Sequence, residues 1–217
     1  MQRIICLTVF LMNSVTSLQA QGQWVWPNDT STAREKVAMY DDYMKAGQLA
    51  ESVLPLQWLL THAPDLNPSI YINGIKIYEG LAATTEHDSL RSHYQQRVID
   101  LIDTRQAIFG ETKGNKIRKA YYGYKFWSRT GDKHAQVHQW FLEAHHATNG
   151  DIGDHMIPAM MHMICKTQTP EASFTWYLRF VQQIDAVRLP QLNRIAFSCL
   201  DWSCEAVALL WEQRSRA

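Results

Sequence analysis

The chain has 217 residues, of which 46% are hydrophobic and 11% aromatic, and its 21 basic side chains equal its 21 acidic side chains in number. This length is enough to bury one sizeable core or a short array of small units. The apolar content excludes a disordered or low-complexity chain. Because its net charge is zero, the protein lacks the broad positive potential with which non-specific nucleic-acid binders neutralise phosphates. We therefore expect a folded protein that does not bind nucleic acid.

The N-terminus has the order of a secretory signal peptide. Arg3 precedes an apolar run over residues 4–12, and a small and polar stretch then ends in Leu18-Gln19-Ala20, which is acceptable as a cleavage site. The run is too short for a membrane-spanning helix, which needs about 20 apolar residues. We expect residues 1–20 to be removed and residues 21–217 to form a single exported helical-repeat domain, periplasmic or secreted, without a transmembrane segment. A buried N-terminal helix or strand is the alternative.

Export would place the three cysteines after the leader in an oxidising compartment. Cys199 and Cys204 lie five residues apart in one predicted helix, so their side chains point in different directions. A disulfide from Cys165 to either of them is geometrically easier and would leave the third thiol reduced. Three buried thiols that pack as small apolar side chains are an equally good interpretation.

The remaining chain has the pattern of a series of helices joined by short turns. In chain order, the predicted helices cover residues 33–46, 48–62, 68–85, 88–109, 116–130, 132–148, 154–167, 170–187 and 190 to the C-terminus. They are indicated by apolar residues at intervals of three and four, by capping side chains before the first turn, and by Gly or Pro after the last. Pro55 interrupts the second pattern and predicts a kink or a late helix start there.

Helix pairs are the expected architecture. They recur about every 35 to 42 residues, which is the scale of helical-hairpin repeats rather than of a closed bundle. The Asn73-Gly74 dipeptide could instead form the turn of a β-hairpin. Helical patterns join it on both sides, and an isolated hairpin is only marginally stable. The sequence therefore predicts an all-α fold of stacked antiparallel helix pairs with a terminal capping helix.

The first helix pair resembles a tetratricopeptide repeat. Gly47 has the position of the turn between the two helices of that repeat, and Pro64, seventeen residues later, has the position of its terminal proline. Ser52 occupies the place of the small residue in the second helix, whereas Pro55 departs from the pattern. The resemblance implies a tetratricopeptide-like α-solenoid.

A longer part of the chain is similar to a group of exported repeat proteins of the Bacteroidetes. The similarity lies in residues 55–79, in Trp26-Pro27 soon after the leader, and in Phe109-Gly110 followed by Ala120-Tyr121. It extends from Trp24 to about Trp127 and is weak beyond that. The similarity implies a fold and a compartment, and it does not imply a biochemical activity.

A second repeat unit can be aligned on Gly131, which then corresponds to Gly47. In this register one helix has an apolar face made of Ile117, Ala120, Tyr124 and Trp127. The adjacent face carries basic and aromatic side chains at intervals of three and four, namely Arg118, Tyr121, Lys125 and Arg129. Because the first helices of tetratricopeptide pairs line a concave groove, the resemblance implies a docking surface for an acidic peptide or a C-terminal carboxylate. An ordinary solvated helix face is the other interpretation.

Histidines provide the main alternative function. His134 and His138 lie four residues apart, and two histidines at that interval can chelate zinc or copper. A third ligand would come from Glu143, Asp154 or His155. The metalloprotease signature is absent, because no glutamate directly follows the first histidine. The alternative is thus a small exported helical bundle with a histidine metal site or an unrecognised hydrolytic activity, and histidines at chance spacing are the simpler interpretation.

The other conspicuous residues predict a core rather than a site. Four methionines, Met156, Met160, Met161 and Met163, fall on a helix that Pro158 interrupts, and we expect them to fill the core. No phosphate-binding loop, nucleophile elbow, zinc ribbon or dinucleotide fingerprint occurs in the sequence. The sequence therefore indicates neither an enzyme nor a cofactor. We expect a module that binds another protein or peptide, or that serves as a scaffold.

Overall fold

A computed structural model of the chain describes residues 23–199, and in this range the protein is all-helical. Nine α-helices and one short 3₁₀ helix at Gly131–Lys133 occur there, and these described residues include no strand. The helices are α1 Thr30–Lys45, α2 Leu49–His62, α3 Ser69–Thr84, α4 Asp88–Phe109, α5 Lys113–Trp127, α6 His134–Ala147, α7 Ile157–Thr167, α8 Pro170–Val181 and α9 Leu189–Cys199. The predicted signal peptide and Cys204 lie outside the described residues.

The chain divides into two compact units. The first unit ends at Phe109 and the second begins at Gly110. In the first, α1 packs on α2, α2 on α3, and α3 on α4. In the second, α5 packs on α6 and α6 on α7, and α7 also contacts α8 and α9. The single domain expected over residues 21–217 stays a prediction.

Local signals end and begin several helices where the sequence predicts. Gly47 and Gly110 follow α1 and α4 with φ angles of 74° and 87°, a left-handed conformation that glycine adopts without a steric penalty. At the start of α1, the Thr32 N–H donates a 3.1 Å hydrogen bond to Asp29 Oδ1. Thr169 caps α8 in the same way. These boundaries need only residues that are close in sequence.

The Asn73-Gly74 segment is helical and lies within α3. A Cβ atom at Gly74 would lie 2.9 Å from Leu101 Cδ1 and 3.1 Å from Leu56 Cδ2. Glycine therefore lets α3 approach both α2 and α4 closely. The hairpin interpretation is wrong, because the dipeptide serves helix packing rather than a turn.

Pro55 does not delay the second helix. The helix α2 begins at Leu49, and Pro55 is buried within it. A proline inside a helix costs about 3 kcal/mol. Leu56 and Leu59 are both fully buried on the same helix, and their burial, roughly 1.5–3 kcal/mol for each side chain, offsets that cost. The late helix start predicted at Pro55 is wrong.

The methionine cluster lies in the core of the second unit, as predicted. Met160, Met161 and Met163 are fully buried, and Met156 is 2% exposed. Pro158 does not interrupt their helix, because α7 begins only at Ile157 and Pro158 lies in its first turn, where a proline has no hydrogen bond to lose.

The helix α8 is shorter than predicted. It ends at Val181 rather than near Val187, and turns occupy residues 182–188. The predicted helix included residues 182–187 because apolar residues continue there at helical spacing. Val187 is 86% exposed, so it contributes nothing to a buried helix face.

A disulfide joins Cys165 on α7 to Cys199 on α9, with the two Cα atoms 5.7 Å apart. The two cysteines are separated by 34 residues in the sequence. Of the interpretations that the sequence allowed, a bridge from Cys165 is confirmed. It ties α9 to the core helix on which α9 packs.

Reduction of this disulfide is expected to lower the free energy of unfolding by about 2–4 kcal/mol, because the bond restricts a loop of this length in the unfolded chain. Urea unfolding with and without dithiothreitol measures the loss, and a Cys165→Ser, Cys199→Ser double variant should match the reduced protein. An unchanged unfolding midpoint on reduction would contradict the expectation.

Gly123→Ala is expected to destabilise the protein by about 1–3 kcal/mol through overpacking. The added Cβ would lie 2.7 Å from Trp140 Cε3 and 3.3 Å from Val137 Cγ2. Gly114→Ala, on the same helix, is the matched control, since the nearest atom to its Cβ is Thr112 Oγ1 at 3.9 Å. That control should be neutral or stabilising by up to about 1 kcal/mol. Thermal unfolding measures both variants. Equal changes in stability for the two would contradict the view that the close approach of α5 to Trp140 requires glycine at position 123.

Candidate functional site

The four residues predicted to bind a partner lie on α5 and directly after it. Arg118, Tyr121 and Lys125 belong to the helix, whereas Arg129 follows the Ser128 cap and lies in a turn. The helix begins at Lys113 rather than at residue 116 because the Thr112 side chain caps it, accepting a 3.1 Å hydrogen bond from the Asn115 N–H. It ends at Trp127 rather than at residue 130. We call these four residues the α5 face.

The α5 face is accessible. Tyr121 is 42% exposed, which is unusual for so large an aromatic side chain in this protein. Lys125 and Arg129 are also exposed, and Arg118 is half-buried. Lys125 Nζ lies 6.0 Å from the centroid of the Tyr121 ring, at the outer limit of a cation–π contact. The face therefore combines positive charge with one open aromatic ring.

The α5 face differs from the corresponding part of α1 by the absence of a carboxylate. With Gly131 aligned on Gly47, Lys125 corresponds to Asp41 and Arg129 to Lys45. In α1, Lys45 forms an ion pair with Asp41. The corresponding pair in α5 is replaced by two cations. Within residues 23–199, neither Arg118 nor Arg129 forms an ion pair.

Charge is distributed unevenly between the units. Residues 23–109 carry 11 acidic and 7 basic side chains, whereas residues 110–199 carry 7 acidic and 11 basic side chains. The segment 113–133 alone has seven basic side chains and one acidic side chain. The zero net charge of the chain thus conceals a positive second unit whose basic residues are concentrated around α5.

A half-buried pair of side chains lies next to this face. The Tyr124 hydroxyl on α5 is 3.1 Å from His162 Nδ1 on α7, and the two rings meet edge to face with centroids 5.7 Å apart. Burial raises the pKa of Tyr124. Burial also lowers the pKa of His162, and the positive charges of Lys166 and His134 lower it further.

No sequence pattern indicates this pair, because its members lie 38 residues apart. One signal pointed to Tyr124. It precedes Gly131 by seven residues, as Tyr40 precedes Gly47. The Asn73 side-chain amide on α3 donates a 3.3 Å hydrogen bond to the Tyr40 hydroxyl. In each unit, the tyrosine at this position therefore connects two helices that are not consecutive.

The histidines predicted as metal ligands are engaged elsewhere. His134 Nε2 lies 3.0 Å from the Ser128 carbonyl oxygen, and His138 Nδ1 lies 2.6 Å from Thr167 Oγ1. Glu143 accepts a hydrogen bond from Gln139. In the part of the chain that the structure describes, no group of three or more His, Cys, Asp or Glu side chains could hold a metal ion.

His138 is a buried polar side chain in the second unit, with 6% of its surface exposed. The Thr167 hydroxyl donates to the Met163 carbonyl oxygen at 2.8 Å, which leaves Thr167 Oγ1 to accept from His138 Nδ1. His138 Nε2 has no hydrogen-bond partner among the described residues. Burial lowers the pKa of His138, because the charged ring is removed from water.

The comparisons with known proteins add no assignment to this geometry. No model of a protein family, no curated protein and no solved structure matches the chain. Among the helices in residues 23–199, none is both long enough and apolar enough to cross a membrane.

Acid is expected to destabilise the second unit through His138. Its pKa in the folded protein lies below the unfolded value of about 6.5, so the unfolded chain takes up protons first. The stability is fully present above about pH 6.5 and decreases as the pH falls below that value. His138→Asn keeps a donor near the position of Nδ1 but cannot gain a proton, and between about pH 7.5 and pH 5 it should lose less stability than the wild type by at most about 2 kcal/mol.

Urea unfolding between about pH 7.5 and pH 5 measures this difference. His155→Asn is the control, because His155 is exposed and its replacement should leave the acid sensitivity unchanged. Identical pH profiles for the wild type and His138→Asn would show that another group is responsible.

Proposed function

We propose that this protein is an exported helical-repeat protein that binds an acidic protein or peptide segment, or holds such a partner as a scaffold, through the α5 face. The observation that carries the proposal is that two cations of the α5 face, Arg118 and Arg129, form no ion pair within the described residues. In α1, by contrast, Lys45 at the position of Arg129 pairs with Asp41. A partner that supplies carboxylates would give Arg118 and Arg129 the counter-charges that they lack.

The chemistry of the α5 face suits an extended acidic segment. From Arg118 to Lys125, the cations of α5 extend over about 10 Å along the helix axis, and Arg129 follows in the turn beyond the Ser128 cap. Lysine and arginine at such a rim attract a negatively charged partner and increase its association rate. Tyr121 adds a rigid, half-exposed ring of the kind enriched in binding surfaces. The resulting affinity should depend strongly on salt.

For the fold, we propose stacked antiparallel helix pairs of the tetratricopeptide type with a terminal capping helix. Consecutive helices pack on each other within each unit. Contacts between alternate helices also support the arrangement, namely Tyr40 with Asn73, Tyr124 with His162, and α7 with α9. Stacked helix pairs produce both kinds of contact, those between consecutive helices and those between alternate helices. The similarity to exported repeat proteins of the Bacteroidetes agrees with such a fold.

For the compartment, we propose the periplasm or the extracellular space. The disulfide between Cys165 and Cys199 supports export, because such bonds persist in oxidising environments and are rare in a reducing cytosol. The signal-peptide pattern of residues 1–20 supports it independently. Fractionation of cells that express the full chain, with the size and location of the product measured, tests both.

Replacement of Arg118 and Lys125 by alanine is expected to weaken the binding of an acidic peptide about three- to tenfold, since each exposed charge contributes roughly 0.2–1 kcal/mol. Thermal stability should be nearly unchanged, because neither residue is fully buried. Fluorescence anisotropy with a labelled peptide of alternating Glu and Ala residues, amidated at its C-terminus, measures the binding.

Two controls make the result specific. A peptide with Gln in place of every Glu should not bind, and Arg194→Ala removes an exposed cation of α9 without affecting the α5 face. Equal losses of binding and of thermal stability in the double variant would contradict a docking role for these residues. If Arg194→Ala weakened peptide binding by the same factor, the loss of affinity would reflect the net charge of the protein rather than the α5 face.

A further inference from the structure

Four side chains meet at the end of the second unit where α5 ends and α6 begins. Tyr124 lies in the last turn of α5, and His134 is the first residue of α6. His162 and Lys166 lie one turn apart near the end of α7. Tyr124 and His162 are in hydrogen-bond contact. The Tyr124 ring also meets Phe141 edge to face at 6.2 Å, so an apolar side chain supports the pair from α6.

Lys166 gives the group a positive charge, and none of its four members is a carboxylate. Lys166 and His134 both act on His162 electrostatically, and Tyr124 faces it from α5. Among the described residues, no ion pair and no hydrogen bond joins His162 to α8 or α9. Lys166 is exposed, and the His162 ring is half-buried. An imidazole in such a position gains a favourable interaction only when an anion arrives from outside.

We propose that Tyr124, His162 and Lys166 form a carboxylate subsite beside the α5 face. This inference rests on the proposed function, because it identifies where one acidic side chain of the bound segment is held. The ligand is a side-chain carboxylate, Asp or Glu, of a protein segment. A single C-terminal carboxylate would satisfy this subsite but would leave Arg118 and Arg129, which form no ion pair within the described residues, without counter-charges.

Tyr124 prepares the imidazole for this contact. When its hydroxyl donates to Nδ1, the neutral ring carries its proton on Nε2. His162 Nε2 makes no hydrogen bond to the described residues, so this N–H is free to donate to a carboxylate oxygen. Lys166, one turn along α7, adds a second charged donor on the same side of the helix. The bound carboxylate thus receives two donors from α7.

The subsite makes binding sensitive to pH. Without a ligand, burial and the nearby positive charges lower the pKa of His162 and so disfavour the charged ring. A bound carboxylate supplies the missing negative charge and favours the protonated ring. Proton uptake therefore accompanies binding, and affinity increases as the pH falls from about 8 to about 5.5, above the range in which Glu side chains of the peptide titrate. A hydrogen bond to a charged donor is stronger than one to a neutral donor, and the increase should be about fivefold.

The test uses the full chain and the same labelled Glu-Ala peptide, amidated at its C-terminus. His162→Gln keeps an amide donor in place of Nε2 but cannot be protonated. We expect its affinity at about pH 8 to remain within about twofold of the wild type and the increase at low pH to disappear. Tyr124→Phe should weaken binding at both pH values, because the ring loses the contact that orients it.

Lys166→Met should weaken binding about two- to fivefold, and Arg194→Met on α9 serves as the matched control. Circular dichroism at each pH verifies that every variant is folded. A His162→Gln protein with the same pH profile as the wild type overturns the subsite. If the Arg118→Ala, Lys125→Ala variant still loses affinity in that case, the proposed function stands without it. Binding that depends on a free peptide C-terminus, measured with a non-amidated copy, overturns the choice of side-chain carboxylates.

Discussion

The close approach of neighbouring helices at glycine residues is the constraint on which the rest of the structure depends. A Cβ atom at Gly74, Gly80 or Gly123 would lie 2.9, 2.3 or 2.7 Å from a side chain of a neighbouring helix. Real Cβ atoms do not approach other atoms so closely, so a side chain at any of these positions would force its neighbour to shift. The leucine methyl groups that face Gly74 and Gly80 can move, whereas the rigid ring that faces Gly123 has less freedom. At Gly123 the partner is Trp140 of α6. This contact determines which side of α5 faces the core, and the opposite edge, with Tyr121 and Lys125, is left to solvent.

The two units use the same helix position for different chemistry. Asp41 and Lys45 form an ion pair at the end of α1, whereas two basic residues, Lys125 and Arg129, occupy the corresponding positions of the second unit. An exposed ion pair contributes little to stability, roughly 0–1 kcal/mol. Its loss in the second unit is therefore tolerated by the fold. A surface that binds an acidic partner can arise at such a position without a structural penalty.

Polar side chains inside the second unit divide into two kinds. His138 is buried, and its protonation opposes folding. His162 is half-buried beside Tyr124 and exposed cations, so an external anion can compensate its charge. The same physical effect, a pKa lowered by burial, therefore produces acid sensitivity at one residue and ligand sensitivity at the other. Their difference is access from solvent, which no sequence spacing of histidines indicates.

Much of the helical architecture was predictable because its signals are local. Caps such as Asp29 and Thr169, and the left-handed turns at Gly47 and Gly110, act through residues within one helical turn. The row of residues on α5 was predictable for the same reason, since a period of 3.6 residues places Arg118, Tyr121 and Lys125 together. The bounds of that helix were not predicted: it begins earlier, at the Thr112 cap, and it ends at Trp127, so that Arg129 lies in a turn.

The sequence by itself determined that the chain forms helices, where most of them begin and end, and which faces are apolar, because these properties depend on propensity, capping and periodicity over short distances. Only the tertiary structure decided that Pro55 and Gly74 are accommodated within helices, since burial against neighbouring helices outweighs their local preferences. It alone joined Cys165 to Cys199 and Tyr124 to His162. These contacts are 34 and 38 residues apart in the chain, and only the packing of α5, α7 and α9 brings their members together.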